Sequence, residues 1–183
     1  MASIEENIKR VGGIYYPNNK FAPMPEDEVV GLERSLGTRL PESYRRFLLT
    51  HGRCGFEAGT YFTSLEPMQP DFEDTNEGEI MSFLGARSED GSGIAFSIDT
   101  FRDRMPETII PIGYDMMGNQ ICIGIAGPER GKIYFWDHED EWDEGDYTSE
   151  GLPVPPDIKF QNVHLIAHSF EEFFDQLYVR EDG

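Results

Sequence analysis

Positive charge is scarce in this chain: 15 Lys and Arg stand against 35 Asp and Glu, a formal charge of −20 at pH 7. Such a field repels phosphate backbones and anionic lipid surfaces over at least a Debye length, so no nucleic acid and no membrane is expected as a partner. The same field attracts cationic proteins and speeds their approach. A basic protein partner is therefore the expectation, set against the blander one that acidity only keeps the chain soluble.

Cysteine is nearly absent too. Cys54 and Cys122 lie far apart with no C-x-x-C spacing, which removes the usual zinc and dithiol patterns and predicts two free thiols. Cys122 sits in the apolar run ICIGI and is expected to be buried. Cys54 follows a predicted helix end, where the dipole works against a thiolate. Long hydrophobic runs are missing as well: nothing approaches the ~18 residues of a membrane span. The start, MASIEENIKR, has no apolar leader core, so a cytoplasmic protein is expected. No Gly-x-Ser-x-Gly, P-loop or Rossmann pattern is found, and AGPERGK lacks Walker spacing. The expectation is a non-enzyme without a cofactor.

What the chain does have is apolar content. Hydrophobic residues make up 38% and 13 Phe, 8 Tyr and 2 Trp are present, enough to build a core, and 183 residues suit one domain. Residues 1–23 mix Gly, Pro and Asn with Tyr15, Tyr16 and Phe21 and read as an extended arm pinned by aromatics. After Pro25, the acids Glu26, Asp27 and Glu28 followed by Val29, Leu32 and Leu36 predict a helix ended by Gly37. Pro41 opens a second helix through Tyr44, Phe47 and Leu48, and the two form a hairpin. Short strands are read at 61–65 and 80–84, and a helix from Ile94 through Met105. The runs 108–112, 120–125 and 132–136, separated by DMMGN and AGPERG, read as an antiparallel meander. A last strand at Val163–Ala167 precedes the capping box of Ser169 and Glu172, which starts a helix through Phe170, Phe173, Phe174 and Leu177.

Two segments without Lys or Arg interrupt this order: residues 66–79 carry six acids and residues 137–150 eight, together fourteen of the 35. The second begins WDHEDEW, which contains every side-chain type of a hydrolytic metal site. Consecutive residues leaving a strand nevertheless point to opposite faces, so they do not converge on one ion. Nor does an EF-hand register fit, since Trp142 and Gly151 fall where oxygen ligands belong. His164 and His168, four apart, would face one another on a helix, but in the predicted strand they are separated by roughly 13 Å. No metal is expected. The remaining reading is a protein-binding rim in which Trp and Tyr anchor and acids steer. Its candidate residues are Asp71, Glu73, Asp74, Trp136, Asp137, His138, Glu139, Asp140, Glu141, Trp142, Asp143, Glu144, Asp146 and Tyr147. Alternation along Ile133–Trp136 sets Tyr134 and Trp136 on one face, leaving one pair open to exposure.

The order of these motifs resembles the SUKH superfamily, which includes the yeast cell-wall-assembly regulator and many bacterial toxin-immunity proteins. The resemblance rests on LERSLGTRLPESYRRFLLTHG, on IIPIGYDMMGNQICIGI with GKIYFWDHE, and on SFEEFFDQL, with Leu32, Leu36, Leu40, Pro41, Tyr44, Phe47, Leu48, Gly118, Gly131, Tyr134, Trp136 and His138 in matching places. It departs at His51-Gly52, where Asn-Gly is common, and in the length of the acidic segment at 66–79. The resemblance implies an α+β fold: a single domain, mostly antiparallel sheet, with an N-terminal helical hairpin and a C-terminal helix packed on it. It would span 24–183 after an arm at 1–23, with acidic insertions near 66–79 and 137–150. It implies an interaction scaffold that neutralises a cognate toxin by binding; the expectation that this toxin is basic, with a nuclease as its class, comes from the net charge alone. The alternatives are a regulatory scaffold for an endogenous partner and, as a third, a metal-dependent hydrolase.

Overall fold

All four residues of Ile133–Trp136 are buried, and the way they divide sets the architecture. Ile133 and Phe135 enter one hydrophobic cluster and Tyr134 and Trp136 another, so the sheet has a covered face on each side. The computed structural model describes residues 2–19, 21, 23–68, 76–87 and 91–180, with backbone alone for Asn19 and Asp146. Strands β1 (Ile14–Tyr15), β2 (Cys54–Thr63), β3 (Glu77–Phe83), β4 (Ile109–Tyr114), β5 (Gln120–Gly124), β6 (Ile133–Trp136) and β7 (Val163–Ala167) lie side by side in chain order. The last strand, β8 (Tyr178–Val179), pairs with β2. Every pairing between these described strands is antiparallel. This is the single α+β domain expected.

The large cluster lies between the sheet and helices α1 (Ile4–Arg10), α2 (Glu26–Leu36), α3 (Glu42–Thr50) and α6 (Phe170–Gln176). Gly37 closes α2 in the left-handed conformation, as its position predicts. In α6, Ser169 accepts a hydrogen bond from the Glu172 amide, while the Glu172 carboxylate reaches back to the His168 amide. Phe47, Phe170 and Phe174 converge on Phe83 of β3, whose ring stacks on Phe174 with centroids 5.7 Å apart.

Two expectations are corrected. Residues 1–23 are not an extended arm, because Ser3 and Glu6 form a full capping box that starts α1, and Ile8 joins the large cluster. The predicted helix through Met105 also stops short: α4 is Ile94–Thr100, and Asp103 takes a left-handed conformation in the turn that follows. The cause lies in the packing. Ile94 and Ile98 belong to the large cluster, whereas Phe101 and Met105 cover the small one with Ile109, Cys122, Tyr134, Trp136 and Val163.

The register of β3 shapes the remaining surface. It meets β4 only at Ser82–Tyr114 and Phe83–Gly113, because β4 ends there and turns back through residues 115–119. Residues 77–81 of β3 therefore run on past the β4–β5 turn. On the other side of this opening the chain leaving β2 is lashed to β7: the Leu65 amide donates to the Leu165 carbonyl at 2.9 Å, and the Leu165 amide donates to the Glu66 carboxylate at 2.8 Å. That contact also covers the open edge of β7.

A candidate partner-binding cleft

The opening is a cleft of about 430 Å³. Glu77 and Glu79 of β3, the turn residues Asp115, Met116, Met117 and Asn119, and Asp137 and Glu139 beyond β6 form its walls, with Phe135 and Met68 inside. Gly78 also lines it, and a Cβ there would lie 2.3 Å from the Phe62 ring, so glycine is required for this strand to pass over that ring. Among the described residues, five carboxylates and one guanidinium, that of Arg180, line the cleft. Arg180 is committed to Glu77 at 2.6 Å and lies over the Tyr61 ring at 4.0 Å. The Tyr178 hydroxyl and Arg180 hold the Glu77 carboxyl below its ordinary value.

The β4–β5 turn is rigid for a stated reason. Asp115 Oδ1 accepts the amides of Met117 and Asn119 at 2.8 and 2.9 Å, and Asp115 Oδ2 accepts the Asn119 side-chain amide at 2.8 Å. Gly118 has φ +98, which suits glycine alone. Asn119 Oδ1 then accepts both the His138 amide, at 3.1 Å, and His138 Nδ1, at 2.8 Å, tying the turn to the segment after β6. Because an amide oxygen only accepts, Nδ1 carries a proton. The same geometry pushes Met116 and Met117 outward, to 71% and 68% exposure.

The sequence candidates separate. Asp71, Glu73 and Asp74 lie outside the described residues, in the segment joining Met68 to Asn76. Trp136 is not a surface anchor: it is fully buried in the small cluster against Phe101, and its Nε1 has no hydrogen-bond partner among the described residues. Asp137 is 5% exposed, not a rim acid, and faces the cleft. His138 is half-buried, while Glu139 and Asp140 are exposed. Glu141 is taken up by Arg104, whose Nε and Nη2 donate to its two oxygens at 2.8 and 2.5 Å. Trp142 and Tyr147 are half-buried; Asp143 caps the short helix α5 (Glu144–Thr148) through the Gly145 amide, and it and Glu144 are exposed. For Asp146 only the backbone is described, as part of α5. Glu77, Glu79, Asp115, Met116 and Met117 were not among the candidates. The signal for the last two was available, since two large apolar residues at the tip of a five-residue turn have nowhere to hide.

Arg104 also spans the rings of Phe101 and Trp136 at 5.1 and 5.4 Å, and the hydrogen bond to Glu141 raises its pKa. Replacing Arg104 by alanine is expected to cost about 1 kcal/mol and to loosen residues 139–143, read as a lower Tm and faster amide exchange there. Unchanged exchange would show that the salt bridge does not hold the loop.

Among the described residues no group of three or more His, Cys, Asp or Glu is placed to hold a metal. Both cysteines are free and buried; burial pushes the Cys54 thiol up to about 12 and raises Cys122 further. His164 and His168 are a strand residue and a loop residue, as expected. Burial lowers the pKa of His164 from 6.5, against the opposing pull of Asp137, Glu66 and Asp140. A lowered folded value means that the unfolded chain takes up the proton first. Stability from neutral His164 is full above 6.5 and is lost as pH falls through the folded value. The Tm is expected to drop more between pH 7 and pH 5 in the native protein than in His164→Gln, and equal drops would sink the assignment.

Among the described residues no helix is long and apolar enough to cross a membrane. The chain is 30% identical over 155 residues to the SPbeta prophage-derived uncharacterized protein YokK of Bacillus subtilis (strain 168), covering 80% of this chain and 71% of that protein. Residues 23–176 match the SMI1 / KNR4 family (SUKH-1), and that match takes in the helical hairpin, strands β2 to β7 and α6. The protein belongs to this family, whose members include toxin-immunity proteins that act by binding other proteins.

Proposed function

We propose that this protein is an immunity-type binding protein of the cytoplasm, which neutralises a cognate basic toxin by direct contact and performs no reaction. The observation that carries the reading is the meeting of acids from three separate stretches, at 77–79, 115 and 137–139, in one cleft flanked by two exposed methionines. A toxin that uses Lys and Arg to grip phosphate, as a nuclease does, would present the complementary charge, and binding would mask that surface. Family membership supports the class of partner.

The test is capture from the native cell at low salt, identification by mass spectrometry, and co-expression. The reading expects a basic protein whose toxicity is relieved by this chain and whose association rate falls as salt rises. A captured partner that is harmless alone and belongs to an endogenous assembly would replace it with the regulatory-scaffold reading. Salt-independent binding would remove the role given to charge.

A further inference from the structure

Among the described residues the buried Asp137 carboxylate has no cation in ion-pair contact. It is 5% exposed; Oδ1 accepts the Glu139 amide of its own turn at 2.9 Å, and among the described residues Oδ2 has no donor. Among the described residues Asp115, 9% exposed, accepts only from its own turn. Among the described residues no Lys, Arg or His forms an ion pair with either. Among the described lining residues the only cationic side chain, Arg180, is held by Glu77, and His164 is not in the lining; burial lowers its pKa. Residues 69–75 contain no Lys, Arg or His. Withdrawing a carboxylate from water without a cation is costly to the free protein, and such costs persist where a site uses them.

We propose that the cleft receives one Lys or Arg side chain from a loop of the protein partner, its charge set against Asp137 and Asp115 and the apolar residues beside it covered by Met116 and Met117. This rests on the binding reading above and gives that reading a seat. A bound metal is a poor occupant, for want of a third ligand among the described residues. A small free cation would leave the two methionines in water, whereas a chain segment covers them, and flexible thioethers adapt to the side chains they meet. The cleft volume lies within the range of pockets that enclose a compact ligand group.

The whole protein is titrated, by amide NMR, with three probes: the blocked peptide Gly-Leu-Arg-Leu-Gly, its citrulline counterpart, and arginine amide. The arginine peptide should move the amides of residues 115–119 and 137–139, the citrulline peptide should not, and arginine amide should bind at least about tenfold more weakly. Met116→Ala with Met117→Ala should bring the peptide down to the level of arginine amide. Asp137→Asn keeps the acceptor for the Glu139 amide but removes the charge, so it should abolish the response while raising Tm. Glu79→Gln, whose side chain is half-buried, should weaken binding even if Asp137→Asn misfolds. Equal binding of the citrulline peptide, equal binding of arginine amide, or shifts confined elsewhere would each overturn the proposal. If the arginine peptide occupies the cleft yet native capture yields no basic protein, the immunity reading fails and the cleft stands. If a basic toxin is captured and its binding survives both Asp137→Asn and Glu79→Gln, the cleft fails and the reading stands.

Discussion

Replacing Phe83 by alanine is expected to remove about 3–5 kcal/mol of stability, a large share of the roughly 5–15 kcal/mol typical of a domain. The ring is fully buried where the sheet meets two helices: it lies 4.8 Å from Phe47 of α3, 6.0 Å from Phe56 of β2 and, on α6, 6.0 Å from Phe170 and 6.4 Å from Phe173, and it is stacked on Phe174. Truncation would leave a cavity bordered by rings that cannot all move inward, and each aromatic pair contributes beyond its buried area. Phe83 also holds one of the two β3–β4 register pairs, so its loss should open the cleft as well as the core. Urea unfolding followed by tryptophan fluorescence measures this directly, since Trp136 reports from the opposite face of the sheet. A loss below about 1 kcal/mol would mean that the surrounding rings repack and that Phe83 is not the hub of the cluster.

The parts of this fold that could be read from sequence are those with local signals. The hairpin of α2 and α3 announces itself through Pro25, Gly37 and Pro41, and α6 through Ser169 and Glu172. Helix α1 carries the same signature in Ser3 and Glu6, but only Ile4 and Ile8 repeat after it, too little periodicity to outweigh the Gly, Pro and Asn that follow. Trp136 shows a different limit. Alternation along β6 correctly divides its residues between two faces, yet whether the second face is wet depends on Phe101 and Met105, which arrive from another part of the chain. The cleft was illegible for a similar reason. Glu77, Glu79, Asp115 and Asp137 are brought together by a register that ends at Ser82–Tyr114, and no pattern within any one segment encodes that ending.

Reversing the charge of Glu139 and Asp140 together to lysine is expected to slow association with a basic partner about tenfold or more at low salt, with little change in stability. Both residues are exposed, their side chains form no ion pair among the described residues, and Glu139 lines the cleft. The sequence alone would have paired Asp140 with Glu141, but Glu141 holds Arg104, so its reversal would disturb the loop and confuse binding with folding. Exposed charges at a rim act mainly on the encounter, and their effect is screened within a Debye length of about 8 Å at physiological salt. The deficit should therefore shrink as salt rises, while the dissociation rate stays near that of the native protein. Glu107→Lys, exposed and outside the cleft lining, serves as the control, since it changes net charge without changing this face. If the control slows association as much as the double reversal, attraction is a property of the whole acidic surface. If neither does, acidity serves solubility alone and the partner is held by contacts that charge does not steer.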